Sequence, residues 1–135
     1  MGSTLKSFKF GEDWLTASIA LSIAKEKTKA ELSIATRKKV NDSAKMVANI
    51  VEKGKAVYGI NTGFGPLCTT KISKEETKIL QTNILKSHSV GVGKPIDTEI
   101  AKLMLLLKLQ SLAKGYSGIS ASTLDRILWH IENDA

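Results

Sequence analysis

Two glycine-bracketed segments hold the side chains best suited to chemistry. The first is Tyr58-Gly59-Ile60-Asn61-Thr62-Gly63-Phe64-Gly65-Pro66, where glycines surround a single phenol. Glycines at hinge positions let a loop move as a lid that carries a reactive group, with Tyr58 or Phe64 as its payload. A free phenol loses its proton near pH ~10, so Tyr58 acts as a base at neutral pH only beside positive charge or hydrogen-bond donors. The alternative is a surface turn in which Tyr58 is a half-buried filler. A phosphate cradle is excluded, because glycines at 59, 63 and 65 do not form G-x-G-x-x-G and no helical period follows Pro66 directly. Gly93-Lys94-Pro95 likewise has proline where a Walker loop needs Ser or Thr.

The second segment ends in His88, which continues the stripe of Leu80 and Ile84 and stops beside Gly91 and Gly93. A histidine on an apolar stripe is commonly a satisfied helix-end residue. At a helix end it can also reach into a pocket and exchange hydrogen bonds with a polar ligand. The other histidine, His130, has no second His or Cys at metal-ligand spacing, so a zinc site is not expected. Cys68 has no recognisable catalytic partner and, as the single cysteine, cannot form an internal disulfide.

The elements that would position these groups are mostly helical. Thr4 to Phe10 alternates loosely and predicts a short strand or extended arm before Gly11. Glu12 and Asp13 suit a first helical turn, and Leu15, Ile19 and Ile23 predict a helix from about Asp13 to Ala24. Lys25 to Lys29 reads as a charged connector. Ser33 is an N-cap for a longer helix that carries Val40, Ala44, Val47 and Val51, and Gly54 stops it. Ser73-Lys74-Glu75-Glu76 is a capping box that opens the His88 helix. Between Asp97 and Lys114 the apolar residues leave no consistent polar face, which predicts burial on all sides by more chain or by another subunit. A last amphipathic helix runs from Ser120 to Asp134 with Leu124, Ile127, Leu128 and Ile131 inward.

The chain has 135 residues, 42% hydrophobic, 24% charged and only 5% aromatic, the balance of a folded, mainly α domain with an aliphatic core. The net charge of +7 comes from eighteen lysines and two arginines, Arg37 and Arg126. Scattered lysines mark solvated helix faces rather than the forked contacts of base or phosphate recognition, so no nucleic acid is expected as partner. The longest apolar run, Leu103 to Leu107, is far short of the roughly 20 residues of a membrane span. No basic-then-apolar export pattern opens the sequence, and a cytoplasmic location is expected.

The segments Tyr58-Gly59-Ile60-Asn61-Thr62-Gly63-Phe64-Gly65 and Leu80-Gln81-Thr82-Asn83-Ile84-Leu85-Lys86-Ser87-His88, read together, resemble the N-terminal part of an aromatic amino acid ammonia-lyase. Leu107-Lys108-Leu109-Gln110-Ser111-Leu112 and Gly115-Tyr116-Ser117-Gly118-Ile119 are similar to segments that follow in that family. Within it, Ser87-His88 resembles the histidine-specific enzymes, whereas those acting on phenylalanine and tyrosine usually carry leucine at the position of His88.

The resemblance implies a mainly α fold, an N-terminal helical domain or fragment over residues 1–135 with at most a short strand and a glycine-rich tyrosine loop. It implies L-histidine as substrate, with trans-urocanate and ammonia as products. Tyr58 would remove a β-proton, His88 would hydrogen-bond the substrate imidazole, and Gly65 would line the pocket through its backbone. The implied cofactor is methylidene-imidazolone, made from an Ala-Ser-Gly tripeptide. Neither Ser117-Gly118, which follows Tyr116, nor Ala121-Ser122, which precedes Thr123, is that tripeptide, so the 135 residues alone are expected to be inactive. The complete enzyme would be a homotetramer with each site assembled from three subunits. A non-catalytic stand-alone binding or interaction module related to these lyases is the alternative.

Overall fold

The computed structural model describes residues 7–54, 56–60, 62 and 74–133. Its elements are β1 (Phe8–Lys9), α1 (Ala17–Ala24), β2 (Ala30–Glu31), α2 (Ile34–Lys53), α3 (Lys74–His88), α4 (Thr98–Leu112) and α5 (Ala121–Asn133). The architecture is mainly α, as expected. The chain forms two compact units, one of Met1–Lys45 with Ile96–Ala135 and one of Met46–Pro95.

In the first unit, β1 and β2 pair in parallel with Phe8 opposite Ala30 and Lys9 opposite Glu31. The amides of Phe8 and Phe10 donate to the carbonyls of Lys29 and Glu31 at 2.8 and 3.0 Å. Phe8 and Phe10 turn to the same side, meet edge to face at 5.4 Å between centroids, and are both buried. The short strand expected near Phe10 is therefore present. Its partner β2 lies just beyond the predicted charged connector and was not anticipated, because a strand of two residues has no alternation to read.

The turn after β1 alters the predicted start of α1. Asp13 does not open a helix; its Oδ2 accepts from the Lys9 amide at 2.8 Å and closes a turn. Helix α1 begins at Ala17, with Thr16 as N-cap accepting from the Ile19 amide at 3.2 Å. Gly11 sits in this turn at φ +81°, and a Cβ there would stand 2.4 Å from the Ala113 carbonyl oxygen, so the close approach to the end of α4 requires glycine. Gln110 fastens the same place from α4. Its Oε1 accepts from the Gly11 amide at 2.9 Å, and its Nε2 donates to the Asp13 carbonyl at 2.9 Å.

Glu12 ties the turn to the start of α2. Ser33 caps that helix by accepting from the Thr36 amide at 3.0 Å, as predicted, and its hydroxyl also donates to the Glu12 carboxylate. The Thr36 hydroxyl, fully buried, lies 2.9 Å from the Phe10 carbonyl and 3.1 Å from Glu12 Oε1. These hydroxyls, Ser33 first and then Thr36, hold the Glu12 carboxyl below its ordinary value, and Lys9 and Lys39 add to the effect.

The core of this unit is mostly aliphatic around Phe8 and Phe10, with Phe10, Leu106, Leu109, Leu124 and Val40 essentially sealed from solvent. Each such side chain contributes about 1.5–3 kcal/mol relative to leaving it exposed. Helix α4 supplies Leu106 and Leu109, and α5 supplies Leu124 and Ile131, with Ile127 and Leu128 partly buried. Lys102 of α4 is also buried, and its ammonium pairs with Glu26 at 3.3 Å. Gly115, at φ +78°, ends the α4 segment against the backbone of Lys39, where a Cβ would be 3.0 Å from the Lys39 Cβ. The opposite side of α4 is open in this chain, with Ile100, Met104 and Leu107 each at least half exposed.

The second unit holds the end of α2, the Tyr58 turn and α3. Gly54, at φ +63°, follows α2 and donates to the Val51 carbonyl at 3.2 Å, the predicted stop. Ser73 of the predicted capping box lies outside the described residues.

Candidate functional site

Tyr58 lies in a turn closed by the Ile60 amide, which donates to the Val57 carbonyl at 3.1 Å. Gly59 takes φ +79°, a left-handed conformation that a side chain resists, with open space where its Cβ would be. Glycine is favoured at this position by its left-handed backbone and not by a close neighbour. Tyr58 is 65% exposed, so it is not the half-buried filler of the alternative reading. Thr62, just beyond, is buried. Gly65, the third predicted site residue, lies outside the described residues.

His88 is the last residue of α3, as the flanking glycines predicted, and it is exposed. Its Nδ1 lies 2.9 Å from the Ile84 carbonyl oxygen, one turn earlier. A carbonyl can only accept, so Nδ1 carries the proton in this contact, and Nε2 of the neutral ring is left as an acceptor. The Ser87 hydroxyl donates to the same carbonyl at 3.1 Å and lies 3.0 Å from Nδ1. Ile84 thereby serves two purposes: its side chain is half-buried on the helix stripe, and its carbonyl orients the ring. The sequence signal for this arrangement is the i, i+4 relation of Ile84 and His88, together with the stop after His88.

Tyr58 and His88 belong to the same compact unit. The hollows of the other unit use neither residue. One of about 380 Å³ is lined by Phe10, Ile23, Lys102, Leu128 and Ile131 among others, and one of about 320 Å³ lies beside Trp14, Leu107 and Gln110. Among the described residues no cluster of His, Cys, Asp and Glu could hold a metal ion, and no helix is long and apolar enough to cross a membrane.

The family model for aromatic amino acid lyases matches residues 15–135. The histidine ammonia-lyase of Streptococcus sanguinis is 39% identical over 114 residues, which is 84% of this chain and 22% of that protein. That of Burkholderia cenocepacia is 43% identical over 106 residues, 78% of this chain and 21% of that protein. Among solved structures, the tyrosine aminomutase of Streptomyces globisporus superposes with a TM-score of 0.85 over 96% of this chain and 24% of its own, at 26% identity. The histidine ammonia-lyase of Trypanosoma cruzi gives 0.80 over 93% of this chain and 25% of its own, at 31% identity. The chain therefore spans about a fifth to a quarter of the length of these relatives. With the match extending through α1, both glycine-bracketed segments, α4 and α5, the chain belongs to the aromatic amino acid lyase family.

Proposed function

We propose that the chain is the N-terminal portion of a histidine ammonia-lyase, which eliminates ammonia from L-histidine to give trans-urocanate, and that these 135 residues alone are inactive. The observation that carries the reading is His88, with Nδ1 held on the Ile84 carbonyl and Nε2 left to accept a hydrogen bond. Identities of 39–43% to the histidine ammonia-lyases of Streptococcus sanguinis and Burkholderia cenocepacia support it.

In this reading Nε2 of His88 accepts from an N–H of the substrate imidazole. The Ile84 carbonyl fixes the tautomer, as a second hydrogen bond does for any imidazole whose one nitrogen must stay an acceptor. Tyr58 takes a proton from the substrate β-carbon, for which its exposed position in the Gly59 turn leaves access. Gly65 contributes backbone to the pocket wall. Methylidene-imidazolone supplies an electrophile that makes ammonia a better leaving group. It is built from Ala-Ser-Gly, and the 135 residues contain no such tripeptide, so they do not furnish that group themselves. The complete enzyme is a cytoplasmic homotetramer, with neither membrane nor nucleic acid as partner.

The test is a chimera in which this chain replaces the matching segment of the Streptococcus sanguinis relative. It is expected to release ammonia from L-histidine, while the isolated chain releases none. Preferential release from tyrosine or phenylalanine would overturn the substrate assignment, and turnover by the isolated chain would overturn its dependence on the rest of the enzyme.

A further inference from the structure

Ser87 and His88 share one acceptor. The Ser87 hydroxyl lies 3.1 Å from the Ile84 carbonyl oxygen, and His88 Nδ1 lies 2.9 Å from the same atom. The hydroxyl and the ring nitrogen are themselves 3.0 Å apart. These three atoms close a triangle, and one placement of hydrogens satisfies all its sides. The carbonyl oxygen can only accept, so both neighbours turn a hydrogen toward it. A Ser87 hydrogen pointed at Nδ1 instead would leave the nitrogen lone pair facing the carbonyl oxygen, which is repulsive. The Ser87 hydrogen therefore goes to Ile84, and the Nδ1 hydrogen is shared between that carbonyl and a lone pair of the Ser87 oxygen.

We propose that Ser87 is a positioning residue for His88: its oxygen is the second acceptor for the Nδ1 hydrogen, and it holds the ring in the tautomer and orientation that leave Nε2 to accept from a substrate N–H. The consequence for a substrate rests on the lyase reading, whereas the effect on the ring does not. The single hydrogen of the hydroxyl is spent on Ile84, so Ser87 has none to donate to a ligand and acts through His88.

The setting makes a second acceptor consequential. Ser87 and His88 are both exposed, so water competes for Nδ1 and packing does not fix the ring. Which nitrogen of a neutral imidazole carries the hydrogen is decided by the bond the other one makes. One exposed hydrogen bond shifts such an equilibrium by only a few fold to about tenfold, and a second acceptor adds a factor of the same order. The serine also opposes a half-turn of the ring, which would put Cδ2 where Nδ1 stands and lose both acceptors at once. Alanine would be the better helix former at this position. The hydroxyl instead bonds back to the carbonyl three residues earlier, a pattern that serine adopts at some expense to the helix.

The experiment has two arms. The first is nitrogen-15 NMR of the His88 ring in the chain at about pH 8.5, some two units above the ordinary histidine value of about 6.5, where the ring is neutral. His130→Gln leaves His88 as the single histidine and assigns its signals. The parent should show a protonated Nδ1 and an unprotonated Nε2. Ser87→Ala should move both shifts toward the Nε2-protonated form, and Ser87→Thr, which keeps the hydroxyl, should restore them. The second arm is kinetics of the chimeric lyase. There Ser87→Ala should raise KM for L-histidine by a few fold to about tenfold with a smaller change in kcat. The effect on L-phenylalanine, which has no N–H for Nε2 to accept, should be less. Ring shifts identical in the parent and Ser87→Ala overturn the proposal, as does a parent ring protonated at Nε2. An equal loss for both substrates overturns it too, since a general disturbance of α3 would produce that. A parent chimera without preference for histidine contradicts the lyase reading instead, and the ring shifts then decide the role of Ser87.

Discussion

His88 Nδ1 and the Ile84 carbonyl oxygen lie 2.9 Å apart across the last turn of α3. The Ile84 carbonyl belongs to the last turn of the helix ladder, and a carbonyl oxygen has a second lone pair, which here takes the ring of the final helical residue. The bond also fixes the ring, so that the polar atom a ligand would meet is Nε2, an acceptor in the neutral imidazole. One contact joins the end of a secondary-structure element to the chemistry proposed for the site.

Tyr58→Phe, in an enzyme that carries this segment, is expected to depress kcat for histidine by at least about a hundredfold with KM changed only a few fold. General-base catalysis contributes on the order of 10²–10⁴, and a group that acts chiefly in the transition state leaves ground-state binding nearly intact. Steady-state kinetics distinguishes the cases. A turnover within a few fold of the parent would remove Tyr58 from the reaction.

Gly11→Ala should destabilise the fold by more than about 2 kcal/mol, since it combines a strained backbone with overpacking. The residue holds φ +81°, and the new methyl would meet the Ala113 carbonyl at 2.4 Å. Thermal unfolding of the chain checks this. A melting temperature equal to the parent's would mean that the turn after β1 and the end of α4 are not packed together.

Gln110→Leu keeps most of the volume but leaves the Gly11 amide and the Asp13 carbonyl without their side-chain partner. A loss of about 1–3 kcal/mol is expected from two part-buried groups left unsatisfied. Denaturant titration reads it as a lower midpoint with an unchanged slope. Equal midpoints for the variant and the parent would contradict the clamp.

Glu12 predicts a pH dependence. Hydrogen bonds from Ser33 and Thr36 lower its carboxyl below the ordinary value in the folded chain. A group with a depressed folded pKa stabilises the fold above its unfolded pKa, and that stabilisation is lost as pH falls through the folded value. Stability should therefore fall on acidification below the ordinary carboxylate range, and Glu12→Gln should flatten that limb while leaving neutral pH as its point of greatest loss. Urea unfolding at a series of pH values tests the sign; an acid limb of equal slope in both proteins would contradict it.

The long helices were legible because each carries several turns of periodic apolar residues between a cap and a stop. Ser33 and Gly54 bracket α2 as their residue types require, and Asp97 caps α4 by accepting from the Glu99 amide at 2.8 Å. Short-range features were less so. Asp13 carries the right charge for a first helical turn, yet its carboxylate is taken by the Lys9 amide, and Thr16 begins the helix instead. The pairing of β1 with β2 and the Gln110 clamp depend on residues distant in sequence, which local pattern does not encode. Of the site, the positions of Tyr58 in a glycine turn and His88 at a helix end followed from their flanking glycines. The role of the Ile84 carbonyl is a main-chain contact, which the pattern of side-chain types does not encode.

The most direct measurement is the ratio of kcat/KM for L-histidine to that for L-phenylalanine in the chimeric lyase carrying this segment, with His88 and with His88→Leu. The parent ratio should favour histidine. Without His88 the bound imidazole N–H loses its acceptor, at a cost of roughly 1–3 kcal/mol, so the ratio should fall by about tenfold to a hundredfold in the variant. A ratio unchanged by the substitution would contradict the assignment of His88 to the substrate and, with it, the histidine specificity proposed for this member of the family.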